Sequence, residues 1–433
     1  MKKCRLSGAI ATVLSSRKLP FRFKAIDYPM LSALPPITSH VANDDSRSDG
    51  ALILLRVLLG CTLLAAIFLS WPMWLSTREF PLVPLSTAIP QFSSPLDLAF
   101  IILLVAGIVV TILRPSSIAA FGIVGSLLLL WAQDQNRIHP WVFVYILFYA
   151  TLAVQWRAQA KTTSAYNVTP RLQFILIAVY FWTGVQKLRY TYFVDVVEVL
   201  VGFLKPGSSE STLLATTLLF RSAPFLEILF ALLLIHPRLA RLGVVGVLAL
   251  HLGITLLLAS NHFNASVLPW NLFMTGAVLL LFWRKTPSSR LILRPGRSLF
   301  RWVVLLLCGI LPTLGYVGLW NSYLSFAVYA GASARGYGFI RGSTDFLPDT
   351  MRSQLHEIDE DAKELQFDEW GYSVLNSLPS PEAHVLLGVG RALCKEKFTS
   401  KEGLTLAIID APLPWERRGR ETTYTCTHGE LAG

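Results

Sequence analysis

Along this chain the apolar positions come in long blocks rather than at the three-to-four-residue spacing of a helix with one wet face. The blocks predict nine membrane helices, at about 51–72, 97–113, 117–133, 140–156, 170–188, 223–236, 242–259, 267–283 and 302–320. A straight crossing takes roughly 20 apolar residues, so the shorter blocks fix their ends only to within a few residues, and eight to ten spans fit the pattern. After Asn321 the pattern changes. Residues 323–341, with Gly331, Gly336 and Gly338 among aromatic and β-branched positions, predict a strand, a turn and a strand. Ser380-Pro381-Glu382 predicts a helix start with proline in the first turn, and Leu404 to Ile409 one more strand. The stretch 345–369 is acidic and reads as a loop or solvated face. Gly388-Val389-Gly390 lacks the third glycine and the preceding strand of a dinucleotide fingerprint.

The fold class that follows is an all-α polytopic membrane helix bundle of about nine spans with a small α+β extracytoplasmic C-terminal domain. Three regions result: a basic cytoplasmic arm over 1–49 with no predicted fold, or in part sequence ahead of a start at Met30; the bundle over 50–321; and the soluble domain over 322–433. Composition agrees, with 53% hydrophobic and 15% charged residues and a mean hydropathy of +0.52, against about half and a quarter in soluble domains. The net charge of +11 is unevenly spread: residues 1–321 carry 27 basic against 11 acidic side chains, residues 322–433 carry 11 against 16. That split argues for basic cytoplasmic loops and an acidic outer tail rather than for a nucleic-acid partner. With the N-terminus inside, the even-numbered connections hold Arg114, then Arg157, Lys161 and Arg171, then Arg238 and Arg241, then the six basic residues from Arg284 to Arg301. The opposite connections hold fewer basic residues and most of the acids, which supports nine spans with the C-terminus outside. Arg56, Arg189 and Lys205 read as snorkelling side chains at span ends.

Five cysteines show no CxxC and no zinc-type spacing, so no metal is predicted. Cys394 and Cys426 share the tail and are able to pair if it lies outside the cytoplasm. The run Tyr180-Phe181-Trp182-Thr183-Gly184-Val185-Gln186-Lys187-Leu188 closes the fifth span. On a helix Tyr180, Thr183, Gly184 and Lys187 share one face, a polar stripe turned into the protein, where a desolvated lysine serves as a proton-abstracting base. The plainer alternative is an interfacial lysine. Asp134-Gln135-Asn136-Arg137-Ile138-His139-Pro140 crowds polar side chains into a short outer connection, either a hydrogen-bonded site or a solvated turn; Asp134 and Arg137 alone read as a structural ion pair, and His139 as an orienting group or proton donor. His251 lies mid-span, and His262 with Asn264 in the next outer connection; Asn264-Ala265-Ser266 is also a glycosylation sequon. Glu227 is the sole acid in the sixth span, to be paired with an outer-face basic residue or placed near the interface. Tryptophans at span ends form an interface belt and imply no ligand.

Taken in order, the polar connection 134–140, the lysine run 180–188 and the His251 segment resemble the horizontally transferred transmembrane (HTTM) domain family, the membrane portion of vitamin K-dependent gamma-carboxylases and their bacterial relatives. The resemblance covers about residues 50–320. It implies that Lys187 deprotonates reduced vitamin K or a menaquinol at the outer face, with His139 and His251 assisting, so that the oxygenated quinone becomes a base for carboxylating a glutamate side chain. Asp134, Arg137, Tyr180, Thr183, His262 and Asn264 are then the substrate-binding residues, and the partners are the lipid bilayer, a lipid-soluble quinol and an extracytoplasmic protein substrate. Gln186 stands where the carboxylases have a second lysine, and the tail is much smaller than their lumenal domain. The alternatives are a non-catalytic transport, assembly or quinone-binding subunit, and a membrane anchor for an external interaction module.

Overall fold

A computed structural model describes residues 39–159, 168–204, 209–284, 298–359, 361–397, 403–427 and 429–432. Each of the nine apolar blocks is helical: α1 (Ser39–Leu69), α3 (Ser94–Leu113), α4 (Ser117–Gln133), α5 (Pro140–Gln159), α6 (Thr169–Gln186), α8 (Glu210–Ile235), α9 (Ala240–Ser260), α10 (Leu268–Phe282) and α11 (Leu299–Tyr316). Two short helices, α2 (Trp71–Trp74) and α7 (Val197–Gly202), lie in the connections. Among the described residues, seven helices are long and apolar enough to cross a membrane, by length and composition. The residues before Ser39 of the basic arm, Lys161 and 285–297 of the basic connections, and Lys205, read as a snorkelling side chain, lie outside the described residues.

One helix is longer than its apolar block. Polar residues scattered through 210–222 set the start of the sixth block at 223, yet α8 begins at Glu210. Ser209 caps it by accepting from Thr212 N at 3.3 Å, and Thr216 and Thr217 donate to the carbonyls of Thr212 and Leu213 at 2.8 Å. The hydroxyls are thus absorbed by the helix itself, which lets them lie on an otherwise apolar segment. The buried helices are α5, where burial runs without interruption from Trp141 to Tyr149, and α6, buried along most of its length, whereas α3, α8 and α11 leave most of their surface outward.

The C-terminal domain is a six-stranded antiparallel sheet in the order β2-β3-β1-β4-β5-β6, from β1 (Arg335–Arg341), β2 (Leu355–Asp359), β3 (Ala362–Gln366), β4 (Gly403–Ile409), β5 (Glu421–Thr427) and β6 (Glu430–Ala432). Helices α12 (Phe367–Leu375) and α13 (Ala383–Lys397) cover it. The strand-turn-strand expected over 323–341 is only half present. Phe326, Tyr329 and Gly331 take left-handed backbone (φ 61°, 49° and 72°), which breaks any strand before Arg335. The acidic stretch 345–369 is not loop throughout but holds β2, β3 and the start of α12. Glu357 and Asp359 remain solvated because β2 is an edge strand, where charge also discourages pairing with other chains. The two glycines of Gly388-Val389-Gly390 serve packing: a Cβ at Gly390 would stand 2.3 Å from Leu406 of β4, and one at Gly388 2.7 Å from Val83. Cys394 and Cys426 form a disulfide between α13 and β5.

The sheet domain is seated on the bundle. Phe80 stacks edge-on against Trp370 at 4.8 Å, Ser380 N donates to Asn136 Oδ1 at 3.2 Å, Tyr190 N donates to Pro414 O at 2.9 Å and Tyr372 Oη accepts from Asn264 N at 2.8 Å. One continuous apolar core runs through both parts.

A candidate ligand cavity at the Lys187–Glu227 pair

Tyr180, Thr183, Gly184 and Lys187 do share a face of α6, and that face meets α8. Contact is so close at Gly184 that a Cβ there would stand 2.6 Å from the Pro224 carbonyl oxygen and 3.0 Å from Ile228 N. The opposing atoms are backbone and have nowhere to move, so the glycine sets the spacing of the two helices. One turn further on, Lys187 Nζ reaches Glu227 at 2.8 Å to Oε2 and 3.0 Å to Oε1, and the carbonyl of Thr183 at 3.5 Å. Both side chains are more than nine-tenths buried. An ion pair this deep is stable only because each charge is the other's partner.

A second polar group faces the same space. Tyr180 Oη lies 2.8 Å from His251 Nε2, and His251 Nδ1 lies 3.0 Å from Asn271 Oδ1. The amide oxygen only accepts, so Nδ1 carries the hydrogen, Nε2 accepts, and the tyrosine hydroxyl donates. The chain Tyr180–His251–Asn271 therefore ties α6, α9 and α10 together. These residues and the ion pair line a cavity of about 380 Å³ whose remaining wall is almost wholly apolar, from Phe220, Phe230, Leu250, Ile254, Leu257 and Met274 among others. Its volume lies in the range of small-molecule sites. Tyr329 closes it on the side of the sheet domain and also lines a neighbouring cleft between the two parts of the molecule. Burial pushes the Tyr329 phenol up to about 12 against the easing effect of a hydrogen bond from Asn264 Nδ2 at 2.8 Å, so it is a neutral donor and acceptor.

Pro224 lies inside α8 and has no N–H to give the carbonyl of Phe220. Tyr192 Oη donates to that carbonyl at 2.8 Å, and Tyr192 also lines the cavity.

The other predicted site residues lie elsewhere. Asp134 is fully buried in a structural cluster: it pairs with Arg78, accepts from Val83 N at 3.1 Å and from Asn136 N and Nδ2 at 3.2 and 3.1 Å, and has Arg137 Nε at 3.8 Å. Burial raises its carboxyl, but the guanidiniums of Arg78 and Arg137 and the hydrogen bonds outweigh it and hold it below its ordinary value. Arg137 donates to the carbonyls of Met73, Leu130 and Trp74 at 3.2, 3.3 and 2.9 Å, pinning α2 against the α4–α5 connection. His139 stacks between Trp141 and Tyr323, with ring centroids 5.8 and 5.3 Å away, and does not line the cavity. His262 is exposed. Asn264 is buried, its Nδ2 engaged by Tyr329, so the sequon asparagine holds a wall residue in place. Arg189 is no snorkeller: it is buried and donates to Gln186 O at 2.7 Å, Gln186 Oε1 at 2.8 Å, and the carbonyls of Pro412 and Tyr316 at 3.2 Å.

The structure thus gathers Lys187, Tyr180, Thr183 and His251 and adds Glu227, Asn271, Trp270, Tyr192 and Tyr329. Glu227 and Asn271 carried a signal, each being a polar residue inside an apolar block; Tyr192 and Tyr329 carried none, because tyrosines near span ends are common. Compared with known proteins, the chain matches no protein-family model, no curated protein and no solved structure.

Proposed function

We propose that this chain is a multi-pass membrane protein of the HTTM type that binds a lipid-soluble hydroquinone, of the menaquinol or reduced vitamin K class, in the cavity beside Lys187 and takes a proton from its hydroxyl there. The observation that carries the reading is the buried Lys187–Glu227 pair at the polar side of an otherwise apolar cavity. An apolar wall accepts the ring and isoprenoid chain, and the pair offers both an acceptor for the hydroxyl proton and a cation beside the oxygen left behind. The contact between the two side chains divides the work: the Glu227 carboxylate, already holding the ammonium, takes the proton, and Lys187 steadies the negative oxygen. A hydroquinone bound so is activated toward dioxygen, the chemistry on which carboxylase-like enzymes build. The sign of the loop charges and the disulfide in the sheet domain support a cytoplasmic N-terminus and an outer C-terminus.

The test is turnover by the protein in nanodiscs supplied with reduced menaquinone or vitamin K hydroquinone and dioxygen, which go to quinone epoxide and water. Wild type is expected to form epoxide, and Lys187→Ala and Glu227→Gln to lose at least about a hundredfold in rate, as removal of a positioned acid-base group does. Equal turnover in wild type and Lys187→Ala sinks the reading. Saturable binding without turnover in wild type instead favours a non-catalytic quinone-binding subunit.

A further inference from the structure

We infer that the cavity opens sideways into the lipid between α8 and α9, at the level of Ala223 and Gly253, and that the molecule it holds trails a long aliphatic or isoprenoid chain out through this gap. The inference rests on the reading of the cavity as a site for a lipid-soluble molecule. It adds the route of entry and the part of the molecule that the protein does not enclose.

Near their connection the two helices touch. A Cβ at Gly243 would stand 3.1 Å from Leu234 N, and one at Gly246 2.3 Å from the ring of Phe230. Gly253 follows Gly246 by seven residues, which is two turns, so it lies on the same face of α9. A Cβ there would meet nothing within 4 Å. Because the helices run antiparallel, the residue of α8 level with Gly253 lies as far before Phe230 as Gly253 lies after Gly246, which makes it Ala223. Both line the cavity, and neither has a side chain large enough to close it. Leu219, Ala249 and Gly253 line the cavity and are also exposed on the outside of the bundle, as residues at the rim of an opening are.

Ala223 stands midway along α8 (Glu210–Ile235), one of the helices long enough to span, so the opening faces hydrocarbon rather than water. Glu227 lies one turn from Ala223 on the same face of α8, which puts a polar head seated on the ion pair roughly 5–6 Å from the opening. A bicyclic ring and the first units of a chain fit in about 380 Å³, and a long chain does not. The remainder passes between α8 and α9 and lies among the lipid chains. The protein therefore reads the head of the molecule and is indifferent to the length of its tail.

The probes are menadiol, which has no chain, and menaquinols with a short and a long isoprenoid chain, held reduced under argon. Binding is read as the rise in the thermal unfolding midpoint of the protein in detergent micelles that carry one probe at a fixed mole fraction. Micelles with squalene, an isoprenoid without a ring, give the blank. Wild type is expected to be stabilised by all three probes, by roughly 2 °C or more each. Gly253→Phe fills the gap and should keep the shift with menadiol while losing it with both chained probes. Ala223→Phe narrows the gap from the other side and serves if Gly253→Phe does not fold. Leu252→Phe, on the exposed side of α9 and outside the cavity lining, should keep all three shifts. The sideways opening is overturned, and the ion-pair reading left intact, by a wild type stabilised by menadiol alone, or by gap variants that still respond to the chained probes. Gap variants that lose menadiol as well, or a Leu252→Phe that loses the chained probes, overturn it equally. No shift with any probe in wild type overturns both readings.

Discussion

His139 is a single residue whose protonation the fold opposes. Burial between two aromatic rings pushes its imidazole from 6.5 down to about 4, against smaller upward pulls from the Asn136 backbone and the Asp134 charge. Above pH 6.5 the imidazole is neutral whether the chain is folded or not. As the pH falls from there toward 4 the unfolded chain takes a proton that the folded one refuses, so stability is lost across that window, by about 3 kcal/mol at its lower end. Thermal unfolding of wild type between pH 7 and 4 is expected to show this decline and His139→Phe to flatten it. A parallel decline in the variant would assign the acid sensitivity to other groups. Asp134 adds little in that window, because above its ordinary value of 3.8 the carboxyl is charged in the unfolded chain as well as in the folded one, and its contribution is lost as the pH falls through that value and below. Neither residue reaches the cavity, and both act on the seam between α2, the α4–α5 connection and the sheet domain.

At the scale of elements, α8 shows how one break in a helix is used. Pro224 frees the Phe220 carbonyl, Tyr192 takes it up, and the same stretch lets Gly184 of α6 lie against the Pro224 carbonyl. Tyr192→Phe leaves that carbonyl without its hydroxyl donor in an apolar setting and should cost about 1–3 kcal/mol. Pro224→Ala restores an N–H able to reach Phe220, so the double variant should recover much of the loss, and denaturation in detergent of the four proteins measures the coupling. Additive losses would show that the two residues act separately. Such a pairing is not legible in the sequence, where Pro224 and Tyr192 stand in different blocks. What was legible followed local physics: each apolar block is helical among the described residues, and of the i, i+3, i+4, i+7 stripe on 180–187 Tyr180, Thr183 and Lys187 line the cavity while Gly184 packs against α8. The stripe's partner was harder. Glu227 was visible as an acid in an apolar block, but not that Lys187, rather than Arg189, would meet it. The outer connection 134–140 misled for the opposite reason. Dense polar side chains mark a ligand site and a buried structural knot equally well, and only the carbonyls of Met73, Trp74 and Leu130 converging on Arg137 decide for the knot.

For the whole molecule, orientation governs which compartment the sheet domain meets. Trp415 is 68% exposed on that domain and offers a site for a reporter. Trp415→Cys is expected to react with a membrane-impermeant maleimide in intact cells; labelling only after the membrane is opened would place the domain on the other side. The sheet itself was partly foreseen, through β4 and the start of α13, and partly missed. The Thr-rich β5 lacks the apolar alternation that marks a strand, because even its inward face is poorly covered: Thr422 and Tyr424 are only half-buried and Cys426 alone is buried.

The seat of the sheet domain on the bundle also sets an order in time. Val83, which follows α2, finds its contact at Gly388, and Phe80 finds its own at Trp370. At a synthesis rate of about 5–20 residues per second, the roughly 300 residues between such partners take the ribosome about 15 to 60 seconds to make. Phe80 and Val83 are therefore made long before the residues of the sheet domain that they pack against, and their apolar side chains stay without that cover until the last part of the chain arrives.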